Sequence, residues 1–145
     1  MKELHTEIEI DASAERVWEA LTDFSSMGEW NPFIRSLEGA AKVGERLKAR
    51  VTPPGGRSMT FKATVIKADA GKELRWLGRT LIPGVLDGEE YLLIEALDGD
   101  KIRFVHGELL MGILVPILGL LGLLKSTQAG FEEMNQALKQ RAESG

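Results

Sequence analysis

Ile102, Phe104, His106, Glu108 and Leu110 occupy every second position of one short run, and alternate side chains of an extended strand point to the same face. If Ile102 and Phe104 look toward a core, His106 and Glu108 look there too. An imidazole and a carboxyl group in an apolar wall can anchor the polar end of a ligand, or move a proton as a general acid and base. The competing reading is that Gly107 marks a bulge that reverses the parity, or that the strand end is solvated.

Little else in the chain could do chemistry. With two histidines and no cysteine, there is no thiolate nucleophile and no disulfide, and nitrogen ligands for zinc or iron are scarce, so neither a metal nor a cofactor is expected. Ser25, Ser26 and Ser58 lack the surroundings of an activated nucleophile, and no phosphate loop is present. No residue is therefore assigned a catalytic role. The balance of 18 Lys and Arg against 22 Asp and Glu gives a net charge of -4, which offers no field to collect nucleic acid. Arg46, Lys48 and Arg50 alternate with Leu47 and Ala49, as the wet face of a strand does.

These groups need elements to hold them. At 145 residues and 43% hydrophobic composition, the chain is long enough for one domain, spanning 1–145, to close a core without disulfides or metals. The opening MKELHTEIEI is acidic where a signal peptide would be apolar, so a cytoplasmic location is expected. Leu109 to Leu124 is a run of sixteen residues without a polar side chain, short of the roughly 20 that span a bilayer, and Pro116, Gly112, Gly119 and Gly122 interrupt it. It reads as a strand end, a loop and a helix start. Left partly exposed, it would touch a membrane surface or a protein partner.

Leu4, Thr6, Ile8 and Ile10 alternate with polar residues as an opening strand, and the segment Asp11 to Ser13 offers a cap for a short helix over about Ala14 to Thr22. A second short helix ends before Pro32. From Phe33 to Leu110 strand-like runs are separated at Val43-Gly44, Pro53 to Gly56, Asp69 to Gly71, Pro83-Gly84, Asp87-Gly88 and Asp98 to Asp100. Such close turns leave no room for crossover helices and predict an antiparallel meander. Ile117, Leu120, Leu124, Phe131, Met134 and Leu138 keep helical spacing and predict a long amphipathic helix over about Leu114 to Ala142. A sheet with one apolar face must bury it, and the terminal helix is the only partner large enough, so the sheet curls around it and leaves a space between.

Trp30 and Phe33 flank the rigid Asn31-Pro32 turn and could form a rim over that space. Phe61 lies on the strand Met59 to Val65, and Trp76 shares a face with Leu74. Phe104, His106, Glu108 and Leu110 would contribute from the last strand, and Leu120 and Leu124 from the helix. For every apolar member of this ligand-binding set, plain core packing is the alternative.

The segments AERVWEALTDF (Ala14 to Phe24), EWNPFI (Glu29 to Ile34), KVGERLKARVTPPGG (Lys42 to Gly56), ELRWLGR (Glu73 to Arg79) and HGE (His106 to Glu108), with the terminal amphipathic helix, resemble the helix-grip superfamily. That group includes the START domains, the birch-pollen-allergen proteins and the polyketide cyclase/dehydratase-like proteins. The resemblance implies an α+β fold with a curved seven-stranded antiparallel sheet gripping a long C-terminal helix, and two short helices after the first strand. It implies a cavity but no shared catalytic residue. The resemblance does not settle function; a mostly apolar cavity with few polar anchors suits a carrier or sensor of an apolar small molecule, such as a lipid, isoprenoid or aromatic polyketide, and that is the expected function. The alternatives are a cyclase or dehydratase that moves protons with His106 and Glu108, and an adaptor for a membrane surface or a protein partner.

Overall fold

The computed structural model describes residues 1–79 and 84–144. Its order is β1 (Lys2–Ile10), α1 (Ala14–Thr22), a 3-10 turn (Phe24–Ser26), α2 (Met27–Trp30) and β2 (Ile34–Glu38). There follow β3 (Arg46–Val51), β4 (Met59–Asp69), β5 (Glu73–Arg79), β6 (Asp87–Ala96) and β7 (Ile102–Met111), then α3 (Val115–Leu120) and α4 (Leu123–Glu143). The strands form one seven-stranded sheet in the order β1-β7-β6-β5-β4-β3-β2, with every neighbouring pair antiparallel. The meander is thus closed at one edge by the first strand pairing with the last. Register shifts between Ile34 and Ser36 and between Val65 and Lys67 are bulges that add twist and curve the sheet.

The concave face grips α4 through Phe131, Met134, Asn135, Leu138 and Ala142, all buried at the three-and-four spacing of one helix face. Opposite them lie Leu4, Ile10, Leu92, Ile102 and Phe104, also buried. Burying each such side chain stabilises the fold by about 1.5–3 kcal/mol. The helix α1 seals this end: the Ser13 side chain accepts a hydrogen bond from Arg16 N at 3.1 Å, and the Arg16 guanidinium donates to Arg141 O at 2.9 Å. That contact ties the first helix to the end of the last.

Two sequence expectations change. Asp87-Gly88 is not a turn; both residues belong to β6, where Gly88 pairs with Gly78 across β5 and with Leu110 across β7. Local turn propensity is overridden there by pairing on both sides. Nor does a single helix cover Leu114 to Ala142. The chain breaks at Leu121-Gly122, with Gly122 at φ 75°, a left-handed conformation that glycine adopts without steric cost. Of the Pro83-Gly84 break, Pro83 lies outside the described residues.

Gly130 shows how closely α4 is seated. A Cβ there would stand 2.2 Å from the Phe33 ring, so Gly130→Ala is expected to lower stability by about 1–3 kcal/mol through overpacking. A urea titration checks this, and pairing the change with Phe33→Leu should recover part of the loss.

Candidate functional site

Core and cavity divide the concave face between them. Toward α1 the space is filled, but toward the start of α4 a cavity of about 310 Å³ remains, within the size range of small-molecule sites. Its walls are Leu37, Leu47, Ala49, Val51, Phe61, Ala63 and Trp76 from the strands, with Phe33, Leu118, Leu124 and Phe131 closing over them. The inward Gly78-Gly88 pair, cross-strand neighbours without side chains, leaves room at its floor. Met59, Phe61 and Leu123 are exposed and mark where the cavity meets solvent. Beside that mouth Ile117, Leu120 and Leu121 also stand in solvent.

The placement of Phe33 follows from its neighbour. Asn31 is fully buried, and its Oδ1 accepts hydrogen bonds from Phe33 N and Ile34 N, each at 2.9 Å. This local turn fixes the entry to β2 and turns Phe33 toward α4, where its ring meets Phe131 edge-on with centroids 5.6 Å apart.

Two carboxyl groups enter the cavity wall side by side. Glu90 on β6 and Glu108 on β7 are directly opposite each other, and both line the cavity. Glu90 Oε2 lies 2.8 Å from His106 Nε2, and His106 Nδ1 lies 3.0 Å from Asn135 Oδ1 on α4. The Asn135 amide donates to Thr6 Oγ1 at 2.8 Å, and the Thr6 hydroxyl donates to His106 O at 2.7 Å. This chain fixes the imidazole tautomer. The one Thr6 proton goes to the carbonyl, so Thr6 Oγ1 must accept from the Asn135 NH2, and Asn135 Oδ1 must then accept from His106 Nδ1–H. On its other side the ring meets the Glu90 carboxyl, Nε2 to Oε2, so both ring nitrogens are held by the protein.

Glu108 differs from its neighbour. Its carboxyl has no hydrogen-bond partner among the described residues and faces the cavity beside Gly88, whose missing Cβ would stand 2.7 Å from Oε2. Burial, and then the facing Glu90, push its pKa up to about 8, so at neutral pH it carries a proton. The wall therefore presents one carboxylic acid with an unused O–H, next to the hydrogen-bonded Glu90–His106 pair.

The residues predicted from sequence are distributed unevenly about this site. Phe33, Phe61, Trp76, Glu108, Leu110 and Leu124 line the cavity. Phe104 is fully buried toward the filled end of the core, outside the cavity wall. Parity gave its face but not its depth. His106 has no exposed surface; Phe131 stacks on its ring at 3.9 Å and screens it, so His106 reaches the cavity only through Glu90. Trp30 is half-buried outside the lining, and its buried Nε1 has no hydrogen-bond partner among the described residues. Leu120 is 87% exposed, because the break at Gly122 carries it away from the sheet. Gly107 is not a bulge: it keeps register with His5 and Tyr91, and a Cβ there would stand 2.2 Å from the Tyr91 hydroxyl.

Glu90 was missed by sequence reasoning. Its signal was present in the parity of Glu90, Leu92 and Ile94, hidden by reading Asp87-Gly88 as a turn. A wider depression, about 380 Å³, lies on the outer face around Tyr91 and Arg75. Its two arginines are already paired, Arg75 with Glu73 and Glu89 and Arg103 with Glu7 and Glu95, and its Glu3 accepts from the Tyr91 hydroxyl. Among the described residues no cluster of His, Asp and Glu could hold a metal ion, and no helix is long and apolar enough to cross a membrane.

Solved structures with this architecture include a START superfamily protein from Mycobacterium smegmatis, 20% identical, with TM-score 0.77 and coverage of 98% of this chain and 97% of that one. The Zhui aromatase/cyclase from Streptomyces sp. R1128 is 16% identical, with TM-score 0.78 and coverage of 98% and 93%. Norcoclaurine synthase from Thalictrum flavum, solved with dopamine and hydroxybenzaldehyde, is 16% identical, with TM-score 0.73 and coverage of 99% and 87%. At these identities the likeness establishes the fold. No curated protein sequence matches the chain. The model of one family, described as polyketide cyclase / dehydrase and lipid transport, matches residues 1–143, nearly the whole chain, and the protein belongs to that family.

Proposed function

We propose that the protein binds a hydrophobic small molecule, as carrier or sensor, in the cavity between the curved sheet and α4. The observation that carries this reading is a mainly apolar space of about 310 Å³ with the Glu90–Glu108 pair in its wall, an arrangement suited to a greasy ligand with one polar end. The family description, which includes lipid transport, supports the same reading.

Ala49 lines the cavity from β3, and Ala49→Phe should fill the space without touching the core around Met134. An uncharged environment-sensitive dye such as Nile red is expected to bind the unaltered protein and to lose about tenfold or more in affinity in the variant, a difference of about 1.4 kcal/mol. The thermal midpoint should hold. Equal dye affinity in a folded Ala49→Phe protein would count against the cavity as the binding site.

The hydrogen-bonded Glu90–His106–Asn135 line beside protonated Glu108 favours one second reading, an enzyme that moves protons on a bound substrate. An aromatase/cyclase and norcoclaurine synthase among the structural neighbours are consistent with it. Turnover abolished by Glu108→Gln while the dye still binds would establish that reading. The exposed Ile117, Leu120 and Leu121 beside the mouth support loading at a lipid surface, which vesicle flotation tests.

A further inference from the structure

We propose that the ligand of this cavity ends in an uncharged oxygen acceptor, a carbonyl or hydroxyl, that takes a hydrogen bond from the carboxylic acid of Glu108, and that charged head groups are turned away. This rests on the cavity being a binding site and adds the chemistry of the ligand's polar end.

Every group facing Glu108 points the same way. Across β6 stands Glu90, already bonded to His106. Across β1 stands Leu4, and along β7 the neighbours on the same face are His106 and Leu110. Both His106 ring nitrogens are engaged. From α4 come the uncharged Ser126, Thr127 and Phe131, and from β5 Trp76 and Gly78. The cations that touch the cavity lie at its rim: Lys62 is exposed, and Arg79 is 54% exposed and faces Asp87 at 3.9 Å.

An anionic head group would therefore meet two carboxyl groups, with the lysine and arginine of the lining out at the rim. An ammonium group would have to shed its water and displace the Glu108 proton. A neutral oxygen needs neither. It supplies the acceptor that the Glu108 O–H lacks in the protein, in a cavity where an unmade hydrogen bond is costly. The absence of a Cβ at Gly88 is what lets the Glu108 carboxyl lie where it does, since that Cβ would stand 2.7 Å from Oε2.

The test is a set of four naphthalenes differing only in their polar end: a methyl ketone, an aminomethyl compound, a carboxylate and an ethyl compound. Each is used to displace Nile red at pH 6.5 and pH 9.5. The ketone is expected to bind tightest at pH 6.5 and to lose about tenfold or more by pH 9.5, because Glu108 gives up its proton near pH 8. The ethyl compound should be indifferent to pH. Glu108→Leu should reduce the ketone to the affinity of the ethyl compound, and Glu108→Gln, which keeps an N–H donor, should bind the ketone equally at both pH values.

An amine that binds tighter than the ketone and strengthens as pH rises would overturn the inference in favour of a cationic ligand. Ketone and ethyl compounds of equal, pH-independent affinity would remove Glu108 as the anchor while leaving dye binding, and the cavity reading, intact. If neither the dye nor any naphthalene binds, the cavity reading falls and this inference with it.

Discussion

Replacing His106 by alanine is expected to destabilise the protein by about 3–5 kcal/mol, the cost of removing one partner from a buried hydrogen-bonded pair. The ring has no exposed surface and holds three groups at once: Glu90, Asn135 and the face of Phe131. Its loss strands the Glu90 carboxyl and the Asn135 carbonyl in a poorly solvated wall and opens a gap beneath Phe131. Urea unfolding followed by tryptophan fluorescence measures the loss. Most of it should come from the stranded acid, so Glu90→Leu added to His106→Ala should restore part of the stability, giving a coupling energy in the double-mutant cycle. A cost below about 1 kcal/mol, or strict additivity, would contradict the buried network.

Glu108→Gln is expected to stabilise the protein, and to do so only at higher pH. In the folded protein Glu108 keeps its proton to about pH 8, against an ordinary value of 4.5. Below the lower value both states are protonated and the residue contributes no pH dependence. Between the two values the unfolded chain releases the proton while the folded protein retains it. The folded state then binds more protons, and stability falls as pH rises through this window. Above it the penalty is constant, on the order of a few kcal/mol. The stability difference between variant and parent should therefore grow from pH 5 to pH 8 and level off beyond. Unfolding midpoints taken at one-unit steps follow it, and a difference independent of pH would show that Glu108 ionises freely in the folded state.

The two predictions pull in opposite directions although the residues are two apart on one strand. His106 has every hydrogen-bonding atom engaged by the protein, so removing it leaves partners orphaned. The Glu108 side chain has no hydrogen-bond partner among the described residues, so removing its ionisable group strands none of them.

Much of this arrangement is readable from residue order because it depends on short-range periodicity. The alternation of Leu4, Thr6, Ile8 and Ile10, the parity of Ile102 to Leu110, and the spacing of Phe131, Met134 and Leu138 each follow from geometry within one element. Once the curled sheet needed a partner, the terminal helix was the available one, and motifs spread along the chain pointed to the same family. The inward facing of His106 and Glu108 is of this kind, since a strand without a bulge leaves parity no freedom.

What tertiary structure alone decided is depth, pairing and exposure. Phe104 and Glu108 share a face of β7, yet Phe104 lies in the filled core and Glu108 in the cavity, because α1 and α4 close one end of the sheet and not the other. Glu90 meets His106 and Glu108 only through the β6–β7 register, and pairing on both sides of β6 overrides the turn propensity of Asp87-Gly88. Leu120 has core spacing but stands in solvent because Gly122 turns the chain between α3 and α4. Periodicity within an element specifies which way a side chain points, while what it meets there depends on residues distant in sequence, and the chemistry of this cavity arises from those long-range contacts.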